Sequence, residues 1–174
     1  MKTAISGTPG TGKTAVASCL AERGRHVLFF SDLASGYVCG RDEERDCDVV
    51  DVEVMDEQFR RRTDDLLVEG HLSHQLSVDQ AVVLRCYPDV LAGRLRQRGW
   101  SSRKIRENVE AEALDVVLID AIERHGEERV AMVDTTERDV AVAADMVAML
   151  HDDGVASGAG DIVDWNRWLV EHAG

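Results

Sequence analysis

Eight residues near the amino terminus, Gly7-Thr8-Pro9-Gly10-Thr11-Gly12-Lys13-Thr14, follow the pattern G-x-x-x-x-G-K-[ST] in full. Glycines let a backbone wrap close to phosphate oxygens and turn successive N–H groups inward as donors. An apolar run over residues 3–6 leads into the loop and a helix-forming stretch over 14–23 leaves it. The positive end of that helix then lies beneath the same phosphates. In such a loop Lys13 reaches the β- and γ-phosphates of a nucleoside triphosphate, and the Thr14 hydroxyl can ligate Mg²⁺. Gly7, Gly10, Thr11, Gly12, Lys13, Thr14 and Ala15 are therefore the expected contacts to ATP. The motif demands a strand–loop–helix unit, and everything after it must fold around that unit.

The rest of the chain alternates in the way this demand requires. Short unbroken apolar runs lie at 3–6, 26–30, 66–71, 81–86 and 130–134. Runs of that kind suit parallel strands covered on both faces. Between them, helical periods occupy 14–23, 52–65, 89–98, 102–124 and 138–150. The alternation predicts a five-stranded parallel sheet flanked by helices, in a single α/β domain over residues 1–174. Residues 116–120 (VVLID) resemble a strand ending in a metal-orienting Asp, but apolar residues there recur at three and four among strong helix formers, so they read as helix. The stretch 151–160 (HDDGVASGAG) reads as a flexible linker, and 161–172 as a short amphipathic helix.

Charge narrows the partners. The 33 acidic residues outnumber 20 basic ones, for a net charge of -13, and the only lysines are Lys2, Lys13 and Lys104. So acidic a surface repels phosphate backbones, which argues against direct nucleic-acid binding. It also suits concentrated salt, where screening removes self-repulsion. The 44% hydrophobic content fills one core, and no apolar run approaches the ~20 residues of a membrane-spanning helix. With chemistry beginning at residue 7 there is no room for a signal peptide, so a cytoplasmic protein is expected. The four cysteines form no Cys-x-x-Cys pair, and no zinc spacing is present.

A phosphate loop alone does not name a reaction. No Asn-Lys-x-Asp motif marks a guanine-reading GTPase, which leaves small-molecule kinases and ATPases. Both need arginines to neutralise charge and a carboxylate to organise Mg²⁺. The run Leu67-Val68-Glu69-Gly70-His71 ends at the sheet edge where ligands collect, placing Glu69 for Mg²⁺ and His71 for a water or a phosphate. His74 reads as a surface residue. Arg85 ends the fourth strand at the same edge, as a candidate substrate contact. Arg94 and Arg98 share a helix face before Gly99 breaks the helix, and Arg103 and Arg106 follow, as in a mobile flap over ATP. Asp32 can cap a helix, and the polar excursion from there to Asp51 suits a lobe for an acceptor nucleotide.

These residues together resemble the adenylate kinase isoenzyme 6 (CINAP) group, found in eukaryotic nuclei and in archaea. The specific elements are Asp42-Glu43-Glu44 with Asp46-Cys47 and Asp51, the Glu69-Gly70-His71 position, Arg94-Leu95 with Arg98-Gly99-Trp100, and the final 165–172 helix. The resemblance implies a P-loop nucleoside monophosphate kinase fold, with the monophosphate region at about 29–52 and a short lid at about 97–107. It implies reversible transfer between ATP and AMP, ATP hydrolysis, and a role in small-ribosomal-subunit maturation through a small-subunit ribosomal protein. On this reading Lys13, Arg94, Arg98 and His71 serve catalysis, Asp32 and Arg85 hold substrate, and Thr14 with Glu69 organises Mg²⁺. Ala15 stands where the family usually has a second Thr, Glu69 where it has Asp, and Leu72 where a glycine is expected. The alternative reading is an ATPase switch for ribosome assembly with little kinase turnover.

Overall fold

The computed structural model describes residues 1–43, 47–156 and 159–172. Successive residues of its central strands point to opposite faces, and both faces are apolar, so each strand feeds two cores. Ala4, Val68, Ala81 and Val83 face one side with Met55, Phe59 and Ala121. Ile5, Leu67, Val82, Leu84 and Val133 face the other with Val16, Leu20, Ala144 and Val147. Burial on both sides explains why these strands read as unbroken apolar runs.

The strands are β1 (Lys2–Ser6), β2 (Val27–Phe29), β5 (Leu66–Glu69), β6 (Gln80–Arg85) and β7 (Val130–Asp134). They form one sheet in the order β2-β5-β1-β6-β7, every pair parallel, as the sequence predicts. Helix α1 (Lys13–Glu22) follows β1 and shares its core with α7 (Val140–Asp153). Helices α2 (Phe30–Ala34), α3 (Val52–Phe59) and α6 (Val116–His125) cover the opposite face. Leu91 and Leu95 of α4 (Pro88–Gln97) and Ile105 and Val109 of α5 (Ser102–Ala113) build a third cluster with Trp168 of α8 (Asn166–His172). A helix as short as α8 is marginal alone. Trp168 holds it, 9% exposed and donating its indole N–H to Asp89 at 2.9 Å.

Four expectations change. The stretch 102–124 is two helices rather than one: α5 and α6 are separated at Asp115, whose φ of 58° lies in the left-handed region. A straight helix could not serve both the α4–α5 cluster and the α6 face of the sheet. The helix expected over 52–65 stops at Phe59.

Residues around 38–50 form a small antiparallel hairpin, β3 (Val38–Asp42) with β4 (Cys47–Val50), where the sequence shows only a polar excursion. With Val38 and Val49 both largely exposed, no core face stamps a period on that segment. Glu44 and Asp46 of the family-like run lie outside the described residues.

The glycine-rich stretch is not a loose linker over its described length. Helix α7 continues to Asp153, Val155 donates its N–H to Gln80 Oε1 at 2.6 Å, and Gly160 bridges Met132 of β7. A Cβ on Gly160 would lie 2.3 Å from the Met132 carbonyl oxygen, and its φ is 89°. The glycine permits a close approach, and flexibility is not its function there.

Candidate active site

The phosphate loop rises from β1 at the middle of the sheet. Gly7 has a φ of 139°, and a Cβ there would meet the Leu84 carbonyl oxygen at 2.4 Å. Gly12 has a φ of 100° and open space beside it, as a backbone approached by phosphate requires. Lys13 opens α1 and turns back into the loop, donating to the carbonyls of Gly7 at 2.8 Å and Thr8 at 3.0 Å. Burial lowers its pKa to about 8, against the opposing pull of Glu69 and Glu112. The ammonium is thus poised on weak neutral acceptors that an anionic phosphate can outcompete.

Beside it, the Thr14 hydroxyl donates to Glu69 Oε1 at 3.1 Å. Glu69 ends β5 in register with Ile5 of β1 and Phe29 of β2, which brings the carboxylate to the loop. One hydroxyl and one carboxylate are hard oxygen donors of the kind Mg²⁺ uses alongside phosphate and water. Gly70 allows β5 to end against α2, since a Cβ there would sit 2.4 Å from Phe30 Cβ. His71 follows, open to the cleft. Desolvation, Lys13 and His74 push its pKa down to about 4, so the imidazole is neutral at physiological pH.

Two cavities meet over this loop. The larger, about 850 Å³, holds Lys13, Thr14, Glu69 and His71 on one wall, with Ser31, Ser35, Val38 and Val49 on the other. The smaller, about 360 Å³, lies against Thr11, Val16, Arg94, Thr135 and Arg138. Gly10, Gly12 and Arg98 line both. Arg98 is exposed, at the end of α4, and makes no ion pair among the described residues. A cation so placed is free to turn toward phosphate in either cavity.

Three arginines expected at the site, Arg94 and Arg98 for catalysis and Arg85 for substrate, differ in what they hold. Arg98 is at the cavity junction. Arg94 lines the smaller cavity, but its guanidinium is committed to Thr135 Oγ1 at 3.2 Å, the Thr135 carbonyl at 2.6 Å and the Thr136 carbonyl at 3.1 Å. It fixes the loop after β7 while lining the smaller cavity. Arg85 is 1% exposed, bound to Glu112 through Nε at 2.8 Å and to Asp115 through Nη2. Buried and neutralised, it does not face either cavity, which corrects its reading as a substrate contact.

Asp32 is corrected likewise. It lies in the first turn of α2, whose N-cap is Phe29, and its neighbours Ser31 and Ser35 line the cleft instead. His74 is no surface residue: it is 2% exposed, with Nδ1 2.6 Å from Ser6 Oγ and Nε2 2.7 Å from Asp120 Oδ2.

Other residues of the site escaped the sequence reading. Glu112 accepts the Thr8 hydroxyl, and Thr135 donates to the Thr11 carbonyl at 2.7 Å, so both sides of the loop are tied down. Arg138 at the smaller cavity is held by Asp161, at 2.5 and 3.2 Å, a residue expected to open the C-terminal helix but lying before α8 begins at Asn166. One signal could have found Glu112: with Ile105, Val109 and Ala113 it shares the buried stripe of α5.

A glycine-rich cradle between the central strand of a parallel sheet and a helix defines a P-loop nucleotide-binding protein of the α/β class. A gluconokinase from Sinorhizobium meliloti has the same fold, with a TM-score of 0.54, 15% identity, and 87% of this chain and 94% of that one covered. Residues 4–115 match the family model described as an AAA domain. A protein of Natronomonas pharaonis named "Putative adenylate kinase" is 41% identical over 93% of this chain and 96% of its own length. Another of that name, from Archaeoglobus fulgidus, is 49% identical over 79% and 74%. The chain belongs to this adenylate kinase-like family of P-loop proteins.

Proposed function

We propose that the protein is a nucleoside monophosphate kinase that transfers the γ-phosphoryl group of ATP reversibly to AMP. The observation that carries this reading is the pair of cavities joined at Gly10, Gly12 and Arg98, one site for each nucleotide with the transferring phosphate between them. The names of the two relatives point the same way. The smaller cavity takes the ATP base and ribose. The larger takes the acceptor, its outer wall formed by α2 and the β3–β4 hairpin (about residues 29–52), and residues 97–107 serve as the lid.

In this mechanism Lys13 leaves the Gly7 and Thr8 carbonyls for the β- and γ-phosphates. Arg98 turns in from the lid edge and neutralises charge that grows on the equatorial oxygens. Thr14 and Glu69 are the residues that would hold Mg²⁺, which would shield the phosphates. Phosphoryl transfer asks for positioning more than covalent chemistry. The two ties on the loop, at Thr8 and Thr11, keep it in shape to bind the phosphates.

ATP hydrolysis belongs to the same site. With no acceptor in the cleft, neutral His71 can accept a hydrogen bond from water beside the γ-phosphate. The likeness to the isoenzyme 6 group extends the reading to small-subunit maturation with a ribosomal protein partner, and the acidic surface to a salt-adapted cytoplasm. The deciding experiment is a coupled assay of ATP with each nucleoside monophosphate and with none. ADP formed faster with AMP than with no acceptor is expected. Hydrolysis indifferent to every acceptor would leave the ATPase switch in place of the kinase.

A further inference from the structure

Glu112 is an acid with no obvious reason to be buried. It sits in α5, after the lid segment, only 2% exposed, and its oxygens reach three separate parts of the molecule. Oε2 accepts the Thr8 hydroxyl at 2.5 Å. Oε1 accepts Arg85 Nε at 2.8 Å and the Cys86 N–H at 3.0 Å, at the end of β6. The same Oε1 accepts the indole N–H of Trp165 at 3.5 Å, at the entry to α8. Trp165 is further fixed by Tyr87, edge-on at 5.4 Å between ring centroids, and by the Arg85 guanidinium 5.9 Å over its ring.

Thr8 is the pivot of the phosphate loop. Its carbonyl takes the Lys13 ammonium at 3.0 Å, the Thr11 N–H at 3.2 Å and the Thr11 hydroxyl at 2.9 Å. When Lys13 moves to a phosphate, the hold of Glu112 on the Thr8 hydroxyl remains. A buried carboxylate with an arginine partner keeps its place because moving it would leave an unpaired charge in the interior. Its position is therefore set from α5, by Arg85 and Cys86 at the end of β6, and by Trp165 of the C-terminal segment.

We propose that Glu112 is a positioning residue for nucleotide binding, acting through Thr8, and that Trp165 sets Glu112 so that docking of the C-terminal helix is felt at the phosphate loop. This rests on the reading of the loop as an ATP site. An occupant that lifted α8 off α4 and α5 would then loosen the loop without entering either cavity.

The test uses the full chain and magnesium–ATP titrations, with ATP KM and kcat in the coupled assay. Thr8→Val deletes the donor to Glu112, Trp165→Phe deletes the indole donor while keeping an aromatic ring, and Glu112→Gln keeps length but not charge. Thr8→Val is expected to raise KM for ATP about fivefold to tenfold, the effect of losing one typical hydrogen bond, with kcat within about twofold. Trp165→Phe should raise it by about twofold to threefold, and the double variant should be no worse than Thr8→Val, because both act through one carboxylate. Glu112→Gln removes one of the two carboxylates paired with Arg85 and can lower stability, so the hydroxyl and indole variants carry the test. Wild-type KM in both Thr8→Val and Trp165→Phe, or effects that simply multiply, would overturn the proposal. A wild-type chain that binds no magnesium–ATP would sink the ATP-site reading and this one together.

Discussion

The floor of the site and its rim are built on opposite electrostatic plans. On the floor, Arg85, Glu112 and Asp115 form an ion cluster around two nearly inaccessible side chains, with the Thr8 hydroxyl, the Cys86 N–H and the Trp165 indole completing the carboxylate's partners. On the rim, Arg98 has no partner among the described residues and His71 stands open to the cleft. Arg85 and Arg98 are the same residue type within one arginine-rich stretch of sequence. One is spent on holding the loop's support in place, and the other is free to meet a ligand. The contrast teaches that, of two like charges, the buried ion-paired one serves architecture, while the unpaired one beside a cavity is available to a ligand.

The contrast breaks most visibly at the floor. Arg85→Ala leaves Glu112 charged and buried, and should cost about 3–5 kcal/mol of stability, read from urea unfolding. A loss of that size with modest change in nucleotide affinity would sharpen the division; full stability would erase it. Next comes Lys13→Ala, at the boundary between floor and rim. It removes the charge aimed at the transferring phosphate and should lower kcat by about 10²–10³-fold, or about 2.7–4 kcal/mol, in the coupled assay. At the rim, Arg98→Ala should lower kcat/KM by about 10–100-fold while leaving the unfolding midpoint in place, because the exposed side chain holds nothing together. A drop in midpoint instead would move Arg98 to the structural class.

The smallest effects are in pH. Burial lowers the Lys13 pKa to about 8, so in the free protein its charge is lost as pH rises through that value, and kcat/KM for ATP should fall above it. A flat alkaline limb would mean Lys13 keeps its proton. The histidines give the opposite limb, in stability. Burial is the largest cause lowering His71, His74, His125 and His151 below the usual imidazole value. The unfolded chain therefore takes up these protons first, near pH 6.5. Their contribution is complete above about 6.5 and is lost as pH falls below it, which unfolding midpoints at pH 7 and pH 5 would register.

How much of this was legible in advance depends on whether a residue's surroundings were local. The phosphate loop, the five strands and the helices that cover them are written in short-range patterns: a motif of eight consecutive residues, apolar runs and three-to-four spacing. Those patterns were enough to bring Lys13, Thr14 and Glu69 to one cleft, because the strand end beside the phosphate loop lies at the edge of a parallel sheet where ligands collect. Arg98 followed from Gly99, which ends its helix at the cleft. The hairpin β3–β4 left no such mark, since with Val38 and Val49 both exposed neither of its faces is clearly a core face. The glycines of the stretch before Asp161 looked like a linker because a close approach and a flexible joint have the same composition.

The sequence by itself determined that this chain carries a P-loop on a parallel sheet. Only the tertiary structure decided which charges were available to a ligand. Arg85, His74 and Glu112 are distinguished from Arg98 and His71 by partners 26 to 104 positions away in the chain, such as Cys86 and Thr8 for Glu112. Desolvation and pairing are properties of the assembled interior, and no local pattern of residues encodes them.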